Sequence, residues 1–320
     1  MRRNMCRTDT KKGKKKGLLQ VICRDFSRNK ALHLMLLPCL ILLIIYSYVP
    51  LIGLKMAFER FIPSKGLFGE QEFVGLHWFR YLFNMDDFFY ALRNTLVISC
   101  SKLILTMAAS ILFAILVNEV RNRKLKRTIQ TIVYLPHFIS WVILASVFID
   151  ILSPSEGIVN RLIMALGGEP IYFLGSNKWF PFTLVVTDIW KEFGFGTIVY
   201  LAAITSIDPG LYESAAIDGA NKFQQIIHIT LPGLMSIIVL MMLLNIGSVL
   251  GGNFDQVYNL YSPQVYRSGD ILDTLVYRIG LVDFNFSLST AVGLFKSLVS
   301  TILISISYFL AWKVADYRVF

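Results

Sequence analysis

Charge is scarce in this chain, with only 16% of residues Asp, Glu, Lys or Arg against roughly 25% in an ordinary soluble domain. Cysteine is sparse as well. The four present, Cys6, Cys23, Cys39 and Cys100, show no CxxC and no paired spacing, so neither a disulfide framework nor a metal site is implied. Hydrolase and nucleotide signatures are missing: there is no HExxH, no GxSxG and no Walker A pattern, and His33, His77, His137 and His228 are scattered without a carboxylate cluster. No catalytic residue, metal ligand or bound cofactor is therefore assigned to this chain. Any ATP hydrolysis has to come from a separate polypeptide. The absence of a repeat of 20 to 50 residues sets solenoids aside.

What is present is apolar sequence, 55% of the chain. It is gathered into runs near 31–57, 88–119, 128–152, 179–206, 232–251 and 287–312, each above the roughly 18 residues needed to cross a bilayer as a helix. The expected fold is an all-α integral membrane bundle of six transmembrane helices, covering residues 31–320. Pro38 and Pro50 lie inside the first run and predict a kinked or extended helix.

The net charge of +10 suggests nucleic acid until it is located. Residues 1–30 hold eleven bases, Lys11, Lys12, Lys14, Lys15 and Lys16 among them, against Asp9 and Asp25. A basic block abutting the first apolar run is an orientation signal that holds the tail in the cytoplasm and attracts anionic lipid; nucleic acid is not the expected partner. The tail is too long and too basic for a secretory signal and is expected to remain as an uncleaved anchor. Within it, residues 17–29 place Leu18, Val21, Ile22 and Phe26 on one helical face, which suits a short interfacial helix. Arg121, Arg123, Lys124, Lys126 and Arg127 mark a second cytoplasmic connection, whereas 58–87, 153–178 and 252–286 are mixed or acidic. Six crossings then leave both termini in the cytoplasm.

The most informative segment is 207–232, a cytoplasmic loop far longer than a connection needs. Asp208 followed by Pro209 is a helix start signal. Leu211 with Ala215 and Tyr212 with Ala216 give a short helix with a small, apolar face, Gly219 supplies a turn, and Phe223, Ile226, Ile227 and Thr230 resume helical spacing until Pro232 opens the next span. A small-faced helix projecting from a membrane bundle is suited to docking, although Ala215 and Gly219 would also allow close helix packing.

The spacing of Glu213, Ser214, Ala215, Gly219, Ile229, Leu231 and Pro232 resembles the EAA loop of ABC importer permeases, with Ser214 in place of an alanine. By that resemblance Glu213, Ser214, Ala215, Asp218, Gly219, Ile229 and Pro232 form the coupling loop, whose short helix enters a cleft on an ATPase subunit. Tyr48–Phe58, Phe73–Phe79, Arg93–Leu96, Trp190–Gly196, Asn253–Tyr261 and Thr290–Lys296 are similar to the carbohydrate-uptake permeases, above all the branch serving complex oligosaccharides and polysaccharide fragments, alginate and pectin fragments included. The resemblance implies a bacterial cytoplasmic-membrane protein and a heterodimer with a second permease. It also implies two ATPase subunits that bind ATP and Mg, an external solute-binding lipoprotein, and a glycan moved by alternating access.

The residues themselves nominate a polar path. Asp188, Trp190, Lys191 and Glu192 interrupt the fourth run, and ionisable groups at such depth face a bundle interior or a wet cavity. Asp188 and Lys191 have the spacing to pair with each other instead. Trp190 and Phe193 offer faces suited to sugar rings, and Asn245 either bonds a neighbouring helix or meets the solute. Asp255 and Tyr258 in the external stretch complete the candidates. Two rivals remain, a permease for another small polar solute and a secondary transporter whose helix breaks at the Gly-rich stretch 192–197.

Overall fold

The computed structural model describes residues 30–247 and 249–315, with side chains for all of these except His33 and 310–315. The expected interfacial helix, Cys6, Cys23 and most of the basic tail lie outside the described residues. The chain divides into two compact units at Lys55 and Met56.

The first unit is built on α1 (Lys30–Leu43), which carries Pro38 and continues as a π-helical turn (Ile44–Tyr48) and a 3-10 stretch (Val49–Phe58) that begins just before Pro50. The helix changes its winding and does not stop, because each neighbouring winding still satisfies backbone groups that prolines would otherwise strand.

In the second unit a two-stranded hairpin, β1 (Glu59–Arg60) with β2 (Glu72–Phe73), leads into α2 (His77–Leu82) and the long α3 (Asp86–Glu119). Next come α4 (Arg123–Tyr134), α5 (Trp141–Ile151), α6 (Ile158–Ala165) and α7 (Phe180–Thr205). Then follow α8 (Pro209–Ile217), α9 (Lys222–Gln225), α10 (Leu231–Ile246), α11 (Phe254–Leu260), α12 (Tyr266–Gly269), α13 (Leu272–Tyr277) and α14 (Phe286–Ala315). At 1.5 Å per residue α3 is about 50 Å long, well beyond the roughly 30 Å of bilayer hydrocarbon.

Helices α3 and α7 lie side by side and organise three buried clusters. Phe88 and Ala91 of α3 meet Leu272 and Leu275 of α13 and Leu288 of α14. Ile98 of α3, Ala145 of α5, Phe180 and Leu184 of α7 and Val257 of α11 form the second. At the far end Ala114 and Ile115 pack on Tyr200, Ile204 and Leu234.

Among the described residues, four helices are long and apolar enough to cross a membrane, Lys30–Phe58, Asp86–Glu119, Lys222–Ile246 and Phe286–Phe309; two bent pairs bring the number to six if each is one span. The third expected span is one of these pairs and is not continuous. A 3-10 turn (Leu135–Phe138) containing Pro136, then extended backbone at Ile139 and Ser140, bends it by 101° between Phe138 and Trp141. The fifth ends earlier than its apolar run, at Ile246. The Gly-rich stretch 192–197 does not break α7, which runs unbroken from Phe180 to Thr205. Its glycines serve packing: a Cβ on Gly194 would overlap the Val133 carbonyl of α4, and one on Gly196 would lie 2.6 Å from Ser110 Oγ of α3.

Candidate functional site

A cavity of about 630 Å³ lies between α3 and α7. Each helix presents one continuous face to it: Ser99, Lys102, Thr106 and Ser110 on α3, and Asp188, Glu192, Phe195 and Val199 on α7. These positions recur at three- and four-residue spacing, the period of one helical face. Met241 and Asn245 of α10 complete the wall, and the segment from Val249 through Gly252 to Asn253 lies across one end. The wall is polar toward that end and becomes apolar toward Val199, Tyr200 and Met241.

Lys102 and Asp188 are both buried, 6% and 7% exposed, and stand 3.8 Å apart. Lys102 Nζ also donates to Gln256 Oε1, and Gln256 Nε2 donates in turn to the Leu184 carbonyl at 2.7 Å and Thr187 Oγ1 at 2.9 Å. Asn253 Nδ2 donates to Asp188 Oδ1 at 3.0 Å. Each charge in this apolar surrounding therefore has an opposite charge and a neutral hydrogen-bond partner, the condition under which burial is tolerated.

Lys191 does not pair with Asp188. Its ammonium donates to the His137 carbonyl at 2.9 Å and to Glu192 Oε1 at 2.8 Å, while Glu192 Oε2 lies 2.7 Å from His137 Nδ1. The His137 ring stacks on Phe195 with centroids 4.0 Å apart. The bend after Phe138 leaves carbonyls without helical partners, a severe penalty in hydrocarbon. Lys191 takes up one of them, and Glu192 supplies the compensating charge.

Of the candidate pathway residues, Asp188, Glu192 and Asn245 line the cavity. Asn245 Nδ2 also donates to the Met241 carbonyl one turn earlier, at 2.7 Å. Trp190 is on another face of α7, edge-on to Phe148, and Phe193 is edge-on to Phe113. Asp255 and Tyr258 are exposed on α11, where Phe254, Tyr258, Tyr261, Tyr266 and Tyr277 form a chain of ring contacts. Burial, then the neighbouring Tyr266 and Asp270, pushes the Tyr261 phenol well above its ordinary value. Lys102 is the main residue of the cavity that the sequence patterns do not nominate.

The 207–232 segment is a helix, a turn and a second helix. Asp208 Oδ1 accepts from the Gly210 N–H at 2.9 Å and caps α8, with Pro209 at the first position. The helix closes through an Ala220 N–H bond to the Ala215 carbonyl, with Gly219 in the left-handed region at φ +83°. Asn221 and Gln224 form a reciprocal capping box at the start of α9. Glu213, Ser214 and Asp218 are exposed and Ile217 is 87% exposed. Nothing lies within 4 Å of where a Gly219 Cβ would sit, so close packing does not explain that glycine. Ala215, Asp218, Gly219 and Ile229 line a shallow groove between the two helices, and Pro232 opens α10. Among the described residues, no three of His, Cys, Asp and Glu converge to hold a metal ion.

Residues 107–316 match the family model for the binding-protein-dependent transport system inner membrane component. The chain is 43% identical to the protein LplB of Bacillus subtilis, over 89% of this chain and 90% of that one. It is 42% identical to the polygalacturonan/rhamnogalacturonan transport system permease protein YteP of the same organism, over 96% and 94%. Among solved structures it is similar to a chain of a bacterial ABC transporter involved in the import of the acidic polysaccharide alginate, with a TM-score of 0.84, 38% identity and coverage of 92% and 99%. The match is as good to a chain of the bacterial alginate ABC transporter in complex with an alginate pentasaccharide-bound periplasmic protein, with a TM-score of 0.84.

Proposed function

The chain belongs to the family of binding-protein-dependent transport system inner membrane components, and from that premise we propose that it is the permease subunit of an ATP-driven importer for oligosaccharides or polysaccharide fragments, working by alternating access. The observation that carries this reading is the continuity of α7. Its middle forms one wall of the cavity, and its end turns by 69° into the exposed helix α8. A force applied to α8 from the cytoplasm passes the bend at 206–208 and reaches the cavity wall along the continuous helix α7.

In this reading Glu213, Ser214, Ala215, Asp218 and Gly219 dock into an ATPase subunit, and Ile229 and Pro232 join the docked loop to α10. The chain itself binds no nucleotide; two partner ATPases hold ATP and Mg. A second, different permease completes the cavity, and an external binding protein delivers the glycan. Both termini and the α8 loop are cytoplasmic, which places α11 and the Val249–Asn253 end of the cavity toward the outside. Glu192 and Asn245 face the solute; Lys191, Trp190 and Phe193 hold the wall; Asp255 and Tyr258 lie on the outer approach. The glycan class follows from the names of the relatives, which include polygalacturonan/rhamnogalacturonan and alginate systems.

The test is purification of the tagged chain from its native membrane in mild detergent, with mass identification of what accompanies it. A second permease and an ATPase are expected. A chain that repeatedly purifies alone would contradict the proposal.

A further inference from the structure

The segment from Val249 to Asn253 crosses one end of the cavity without forming an α-helix. Val249–Gly251 is a single 3-10 turn, and Gly252 and Asn253 follow with φ of +55° and +58°. Asparagine tolerates that region better than most residues, but two left-handed residues in succession are not self-sustaining. The Lys102–Asp188 pair holds the end of the segment and the turn that follows it: Asp188 accepts from Asn253, and Lys102 donates to Gln256, which is completely buried in the first turn of α11. Gln256 then reaches Leu184 and Thr187 of α7. Two helices from opposite walls of the cavity thus hold the junction of this segment with α11 through one electroneutral pair.

Stability alone gives little reason for this arrangement, since a buried ion pair is commonly no better than apolar residues of the same volume. Its advantage is in release. If Asn253 and Gln256 withdraw, Lys102 and Asp188 still neutralise each other, so opening strands no charge in the membrane. Apolar packing would close the end equally well but would offer no polar partners to the water and solute that enter when it opens.

We propose that Lys102 is a positioning residue for transport, which together with Asp188 bolts Asn253 and Gln256 across the outer end of the cavity, and that loss of those two bonds is the step that opens the cavity outward. The inference rests on the importer reading for its sense of inside and outside.

The test uses the assembled complex in right-side-out vesicles, with Cys6, Cys23, Cys39 and Cys100 replaced by Ser and Met241→Cys as a reporter in the cavity wall. A membrane-impermeant maleimide is added outside, without ATP or solute. The reporter is expected to be protected in the parent and to react about tenfold faster in Lys102→Met, the sign of a larger open population. Asn253→Gly should do the same, since it keeps the left-handed backbone and removes only the amide. Lys102→Arg should restore protection, which a purely structural defect would not allow. Equal protection of Lys102→Met, Asn253→Gly and the parent in complexes that retain their partner subunits would overturn the proposal. Because the labelling needs no transport, it answers for the outer end alone; the importer reading fails separately, if no ATPase accompanies the chain.

Discussion

Gly194 of α7 lies so close to Val133 of α4 that any Cβ would overlap the Val133 carbonyl oxygen. This contact seats α4, the first half of the broken span, against α7. Gly194→Ala should therefore destabilise the detergent-purified chain by about 1–3 kcal/mol, as overpacking does. Gly293→Ala in α14, where nothing lies within 4 Å, should be neutral or slightly stabilising, because alanine is the better helix former by up to about 1 kcal/mol. Thermal unfolding of the two variants side by side checks the contrast.

Gly219 tests the loop by backbone conformation and not by space. A β-branched residue at φ +83° is strained by about 1–2 kcal/mol, and relieving that strain changes the turn that sets the direction of α8. Gly219→Val should insert normally and abolish uptake, whereas Gly219→Asn, which tolerates the left-handed region, should keep most of it. Normal uptake by the valine variant would remove the coupling role from this turn.

Removing the charge at Glu192 leaves the buried Lys191 ammonium with neutral partners alone, the His137 carbonyl and the Trp141 ring 5.7 Å away among them. Breaking a fully buried pair costs about 3–5 kcal/mol, and less here because the Glu192 side chain is 29% exposed. Glu192→Gln should lower uptake roughly tenfold, equivalent to about 1.4 kcal/mol, while the ATPase still co-purifies. Unchanged uptake would assign the residue to the helix bend alone.

Asn160 of α6 is completely buried and donates to the Ser153 and Ile171 carbonyls, each at 3.0 Å, while accepting from the Ile171 N–H at 2.7 Å. Asn160→Ala would strand those backbone groups at a cost of about 1–3 kcal/mol. The expected outcome is a lower unfolding temperature with normal assembly of any complex that survives.

Much of this architecture was legible before any coordinates. Apolar run length located the membrane segments because in lipid the backbone has little alternative to a helix, and Asp208-Pro209 and Gly219 marked the two ends of α8 because capping and left-handed turns are chosen by one or two residues. The 101° bend was not legible from hydropathy, since Phe138, Ile139 and Trp141 keep the apolar run going across it; Pro136 and Ser140 were the available signals. The glycines of 192–197 suggested flexibility, but their reason lies on facing helices at Val133 and Ser110, which a linear reading does not place beside them. Lys102 could have been singled out as a lone lysine deep in an apolar run. Asp188 stands out in the same way, but its pairing with Lys102 is not legible in the sequence, because that pairing is set by how α3 packs on α7.

The central claim is most directly tested by uptake into proteoliposomes. The purified complex is reconstituted with its binding protein, and entry of a labelled galacturonate oligosaccharide and a labelled alginate oligosaccharide is followed with and without ATP inside the cytoplasmic compartment. The account predicts accumulation of at least one of them that requires both ATP and the binding protein and is lost in Gly219→Val. Accumulation that proceeds without ATP, driven by an ion gradient and indifferent to the Gly219 variant, would contradict it.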